Sequence, residues 1–200
     1  MSKGKTVFVF NVDQETQDLI CRLAESLGHQ VECFSEPQQL IQVAETGRGC
    51  VIADLKPSST EKVDVQALLA DNFIALPVIF VAMEPNVPEV VEAMRNGAVT
   101  VLQKPVQETQ LQNALQESLA INEKTLQRQL QRTDYQRRLA SLSSNEQVVL
   151  ELICEGHSNK IIAKKLDVSI RTVELRRHNI FKNLQVKSVV EAVRLVVMAK

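Results

Sequence analysis

The chain has 200 residues, of which 44% are apolar, enough for one sizeable core or two small ones. A formal net charge of −1 conceals an asymmetry: residues 1–122 hold 8 Lys/Arg against 16 Asp/Glu (−8), whereas residues 123–200 hold 15 against 8 (+7). That split predicts two domains, the second suited to a polyanion; the short apolar runs argue against a membrane span, and the lack of a signal-like start predicts a cytoplasmic protein.

Residues 6–10 form an uncharged, β-branched and aromatic run that suits a strand buried on both faces. Helical periodicity follows at Leu19, Ile20, Leu23, Ala24 and Leu27, and Gly28 stops it. The alternation recurs three times. Strand-like residues 31–34, 50–53 and 78–82 precede helix-like residues 37–44, 63–70 and 88–96. A last strand, 99–102, leads through Lys104-Pro105 into a helix starting near Glu108. Five alternations predict an α/β doubly wound parallel sheet. Ligands then belong beyond the carboxyl ends of the strands, which places chemistry at residues 11–13, at Asp54, at residues 82–84 and at Lys104.

From residue 107 to 139 there is neither Gly nor Pro, so one long helix is predicted to run from the last α/β element into a linker at 123–140. Leu111, Leu115, Leu119, Leu126 and Leu130 mark its apolar positions, but Asn122, Gln129 and Thr133 interrupt a clean heptad. A short coiled coil and a solvated spacer fit this pattern equally.

The basic part, residues 141–200, reads as four helices. Ser143 and Glu146 have capping-box spacing, and Gly156 ends that helix. Ser158 precedes Ile161, Ile162 and Leu166, and Ser169 precedes Val173, Leu175, Ile180 and Leu184; each Ser is placed to cap a helix by accepting an N–H. Leu166-Asp167-Val168 becomes a tight turn, which makes the pair a helix-turn-helix. After Lys187-Ser188 a closing helix carries an apolar stripe of Val189, Val190, Ala192, Val193, Val196 and Val197, able to pack on the motif or on a second copy.

Cys21, Cys33, Cys50 and Cys154 lie far apart beside apolar residues and read as buried free thiols rather than disulfides or a metal site. His29 and His157 each follow a glycine and are expected in surface loops. No Gly-rich phosphate loop, G-x-S-x-G or H-E-x-x-H motif occurs, and no enzyme activity is predicted. One Tyr and no Trp argue against a stacking platform for single strands.

VFVFNVDQE, CVIADL, LPVIFVA with NVPEVVEAMRNGAV, and QKP resemble a response-regulator receiver domain, flavodoxin-like in fold. Leu142, Glu146, Gly156, Asn159-Lys160, Ile162-Ala163, Leu166, Ser169 and Thr172-Val173-Glu174 resemble the LuxR-type helix-turn-helix of the NarL/FixJ class. The resemblance implies a two-component transcription regulator that binds double-stranded DNA as a homodimer, with a sensor kinase as partner. It also makes Asp54 the phosphoacceptor position. The Mg²⁺-binding carboxylate positions fall on Asn11 and Val12, with Asp13 one place further; the switch hydroxyl falls on Ala82 and the switch aromatic on Val101. Pro57 comes one place early, and Lys62 stands where a Gly is usual. Those departures predict an atypical receiver with little Mg²⁺-dependent phosphorylation, Asp54 and Lys104 forming an ion pair. Conventional phosphorylation of Asp54 is the alternative, and an adaptor that binds only protein is disfavoured by the +7 half.

In the third helix of the second domain, family position turns Glu174, Leu175 and His178 toward base edges. Lys160, Ser169, Arg171, Thr172, Lys182, Lys187 and Ser188 are the expected phosphate contacts, which set affinity and register but not sequence preference.

Overall fold

The computed structural model describes residues 5–44, 47–55 and 63–199. Residues Lys56, Pro57 and Lys62, and the expectations attached to them, lie outside the described residues. The chain divides into two compact units, residues 1–126 and 127–200.

In the first unit, β1 (Thr6–Phe10), β2 (Gln30–Phe34), β3 (Gly49–Asp54), β4 (Val78–Ala82) and β5 (Thr100–Gln103) form one parallel sheet in the order β2-β1-β3-β4-β5. Between them run α1 (Gln14–Ser26), α2 (Pro37–Ala44), α3 (Val65–Asp71) and α4 (Val87–Arg95), and α5 (Glu108–Ala140) follows β5. Because side chains alternate along a strand, β1 feeds two cores. Val7 and Val9 join Ile20, Leu23, Leu111 and Leu115 on the α1/α5 face. Phe8 and Phe10 join Leu40, Leu69, Phe80 and Ala93 on the α2/α3/α4 face. Burial of each Val, Leu, Ile or Phe among these stabilises the sheet by roughly 1.5–3 kcal/mol. The chain moves outward from β1 to β2 and then crosses to β3, so the crevice at their carboxyl ends is the topological switch point.

Local chemistry fixes the helix starts. The Asp13 carboxylate accepts from Thr16 N–H at 3.0 Å, Asp64 accepts from the Gln66 and Ala67 N–H groups, and Asn86 accepts from Glu89 N–H. As expected, Gly28 follows α1 in a left-handed conformation (φ +78°). Helix α5 is a single 33-residue helix, as the lack of Gly and Pro predicts.

The second unit holds α6 (Ser144–Cys154), α7 (Asn159–Leu166), α8 (Ile170–Leu184) and α9 (Val189–Ala199). Val149, Leu150, Ile153, Ile162, Val173, Ile180, Leu184, Ala192 and Leu195 form its core. Ser143 and Glu146 make the predicted reciprocal capping box on α6. Asp167, at φ +51°, closes α7 in a left-handed turn that Asp tolerates, and Ser169 immediately opens α8.

Several expectations need correction. Ser158 occupies the N-cap of α7 but makes no side-chain cap bond, whereas the Ser169 hydroxyl accepts from Thr172 N–H at 3.0 Å. Ile161 and Leu175 belong to the apolar sets by sequence, yet both are exposed, because each set packs on one face and these two point off it. On α9 the buried positions are Ala192, Leu195 and Ala199, and Val190 and Val197 face outward. Of the four free cysteines only Cys50 is fully buried, its thiol pushed up to about 12 by that burial; Cys33 is exposed on the outer strand β2. His29 is half-buried rather than a surface group, and burial together with the charge of Lys5 lowers its pKa. No helix among the described residues is long and apolar enough to cross a membrane.

Candidate functional site

The carboxyl ends of the strands enclose a cavity of about 580 Å³. Asp13, Asp54, Ala82, Met83, Glu84 and Lys104 line it, so six of the positions read from sequence converge on one crevice. Asp54 ends β3, Ala82 ends β4, and Lys104 follows β5 with its backbone N–H donating to Ala82 O at 2.8 Å. The Lys104-Pro105 peptide bond is cis.

The Lys104 charge is matched inside the crevice. Lys104 Nζ pairs with Asp54 Oδ2 and, at 2.5 Å, with Asp13 Oδ2; only a tenth of the Lys104 and Asp54 side chains is exposed. Burial alone would raise the Asp13 carboxyl. The Lys104 ammonium and the hydrogen bonds from Thr16 outweigh it and bring Asp13 down to about 2. Burial would likewise lower Lys104, but bonding to the two carboxylates raises it above its ordinary value.

Asn11 and Val12, expected as pocket residues, are not among the residues lining this cavity. Asn11 sits at φ +52°, which Asn tolerates better than most residues, and its backbone N–H donates to Phe34 O at 3.1 Å. Val12 packs on the α1/α5 core. Asp13 takes the place beside Asp54 because the chain enters α1 there, so the carboxylate that caps the helix also meets Lys104. Ala82 is buried, and Val101 packs half-buried on the α2/α3/α4 core. The sequence reading overlooked Thr16, which orients Asp13 through both its N–H and its hydroxyl; its spacing from Asp13 is the N-cap signal.

In the second unit, α8 buries Val173, Ile180 and Leu184, which turns the opposite side outward. Glu174, Leu175 and His178 are all exposed, Leu175 at 62%. Lys160, Arg171, Lys182 and Lys187 are exposed as well, and none of these side chains makes an ion pair among the described residues. The hydroxyls of Ser169 and Thr172 bond each other at 2.8 Å, and Ser188 Oγ accepts from Glu191 N–H at 3.2 Å, so these groups first serve helix starts. Arg177 was missed. It donates to Asn159 Oδ1 at 3.1 Å and lies 5.4 Å from the Phe181 ring centroid, which ties α8 to α7.

A doubly wound receiver with a carboxylate-lysine crevice, followed by a helix-turn-helix whose exposed side is basic, defines the response regulators that act on DNA. The chain belongs to that family: residues 7–116 match the response regulator receiver domain, and residues 140–196 match the bacterial regulatory proteins of the luxR family. It is 31% identical over 190 residues to the response regulator protein TmoT of Ectopseudomonas mendocina, covering 94% of this chain and 86% of that one. Among solved structures it resembles the response regulator StyR, with a TM-score of 0.81 and 30% identity over 97% of this chain and 99% of that one. It also resembles full-length FixJ from B. japonicum, with a TM-score of 0.55 and 30% identity over 99% and 98%. Family membership implies DNA binding by the luxR-family part and a kinase partner for the receiver, and makes the chain a regulator rather than an enzyme.

Proposed function

We propose that this chain is a cytoplasmic, sequence-specific transcription regulator whose receiver sets its state with little or no Mg²⁺-dependent phosphoryl transfer to Asp54. The observation that carries this reading is the double pairing of Lys104 with Asp13 and Asp54. Mg²⁺ needs near-octahedral oxygen ligands at about 2.0–2.1 Å. The donor set does not fit it: the two carboxylates beside Lys104, those of Asp13 and Asp54, already bind the ammonium, Val12 offers hydrocarbon, and among the described residues no group of three or more His, Cys, Asp or Glu is placed to hold a metal. Ala82 likewise has no hydroxyl to donate to a phosphoryl oxygen.

The full chain, treated with acetyl phosphate and Mg²⁺ and weighed as intact protein beside Asp54→Asn, is expected to gain no phosphoryl group. Stoichiometric modification lost in Asp54→Asn would establish the conventional alternative.

For DNA, the proposed division of labour follows exposure and chemistry. Glu174 accepts from cytosine N4, His178 donates to a purine acceptor, and Leu175 meets a thymine methyl. Lys160, Arg171, Lys182 and Lys187, with the Ser169, Thr172 and Ser188 hydroxyls, hold phosphates. The chain acts as a homodimer on paired half-sites, a second copy covering the exposed Val190 and Val197 of α9. Duplex affinity should fall steeply and linearly on a log scale with salt. Sequence preference surviving in the Glu174→Ala/His178→Ala double variant would refute the base-reading face.

A further inference from the structure

Asn122 interrupts the leucine pattern of α5, yet it is 1% exposed. Its Oδ1 accepts from Gly49 N–H at 3.0 Å, and its Nδ2 donates to Gly47 O at 2.9 Å. One side-chain amide therefore uses both halves on backbone 73 and 75 residues away. Neighbouring contacts hold the same stretch of helix: Lys5 Nζ donates to Leu119 O at 3.1 Å and pairs with Glu123 at 3.4 Å.

Gly49 and Asp54 are the first and last residues of β3. The strand that carries Asp54 at its carboxyl end is thus gripped at its amino end by the helix that continues toward the second unit. No side chain can intrude at that grip. Gly49 has φ +150°, and a Cβ there would stand 1.8 Å from Thr6 O. Gly49, Cys50, Val51, Ile52 and Ala53 are all buried, and the strand is paired on both sides by β1 and β4. At about 3.3 Å per residue its ends lie roughly 17 Å apart. A close-packed strand transmits a displacement rather than absorbing it.

From this placement we infer that Asn122 is a positioning residue that couples the Asp13–Lys104–Asp54 cluster to the linker part of α5, with β3 as the rigid member between them. The inference rests on the reading that this cluster sets the receiver's state. Ala82 has no switch hydroxyl and Val101 is no swinging aromatic, so β3 supplies a route that needs neither. When the Lys104 bonds to Asp54 are made or lost, the end of β3 is held differently, and Gly49 N–H carries the change to Asn122.

The test is amide hydrogen exchange on the full chain, comparing wild type, Lys104→Met, Asn122→Ala and the double variant. Lys104→Met should speed exchange both at the crevice (residues 13–16 and 82–84) and at residue 49 and residues 119–126, by about 5-fold or more at the latter. In the Asn122→Ala background its effect at the crevice should persist while its added effect at 119–126 disappears. Purely additive effects, or uniform loss of protection across the receiver, would mean a structural role only and overturn the inference. A crevice response with no response at 119–126 would overturn it while leaving the proposed function standing. No crevice response at all would remove that reading, and the coupling with it. Should Asn122→Ala fail to fold, Asn122→Ser, which keeps a hydroxyl, carries the same comparison.

Discussion

The two units handle charge in opposite ways. In the receiver, Lys104 lies in the crevice between two carboxylates with only a tenth of its side chain exposed. In the helix-turn-helix unit, Lys160, Arg171, Lys182 and Lys187 stand in solvent without ion partners among the described residues. A cation already matched by internal anions gains little from an external one, whereas an unmatched exposed cation still has its full attraction for a polyanion. The contrast separates an internally matched ion cluster from an exposed, unmatched basic surface.

The largest expected effect tests whether the units are separable. Ile180→Ala removes a fully buried side chain from the second core and should cost about 2–5 kcal/mol there. Calorimetry should show the second unit melting earlier while the receiver transition stays in place; a shift of both by the same amount would break the comparison.

Next comes Lys104→Met, which leaves Asp13 and Asp54 facing each other without their shared cation and should destabilise the receiver by about 1–3 kcal/mol. Its pH dependence follows from the shifted groups. Asp13 is depressed from 3.8 to about 2, so its contribution is present above pH 3.8 and is lost as pH falls toward 2. Lys104 is raised above 10.5, so its contribution is complete below that pH and is lost as pH rises through the folded value. Melting curves across pH should show both limbs in the wild type; in Lys104→Met the alkaline limb should be absent and the acid limb reduced to what the Thr16 bonds to Asp13 sustain.

On the DNA side, Glu174→Ala should leave thermal stability within about 0.5 kcal/mol, because the side chain is exposed, yet reduce discrimination at one base pair by about 1–3 kcal/mol. Competition binding against single-base operator variants measures it. A large stability loss would place Glu174 among the structural residues. The smallest contrast concerns two serines at successive N-caps: Ser169→Ala should cost about 1 kcal/mol through its lost bond to Thr172 N–H, and Ser158→Ala, which loses none, less than half of that. Equal losses in urea unfolding would show that Ser158 caps its helix in solution.

Much of the fold was legible because its signals are local. Uncharged β-branched runs mark strands buried on both faces, and Asp13, Ser143 and Ser169 announce helix starts at fixed spacing. Asp54, Ala82 and Lys104 were placed in the crevice by the rule that parallel strands end there. Less visible was anything set by two distant segments. Asn11 and Val12 sit next to Asp13 in sequence, yet the turn into α1 sends only the third of them into the cavity wall. Ser158 has the sequence of a cap without its bond. Arg177 belonged to a basic helix, and only the packing of α7 against α8 gave it Asn159 as a partner. Asn122 looked like a flaw in a heptad, although its place on the Leu111, Leu115, Leu119 face was a hint that it would be buried.

By itself, then, the sequence determined which segments are strands and helices, the division of charge between the halves, and the family, since all three follow from residue type and short-range spacing. Tertiary structure decided which ions neutralise one another and which polar groups are buried. Lys104 meets Asp13 and Asp54 from separate strand ends, and Asn122 reaches Gly47 and Gly49 across more than seventy residues. Electrostatic and hydrogen-bond energies depend on separations of a few ångströms and on the exclusion of water, and only the packed chain sets those.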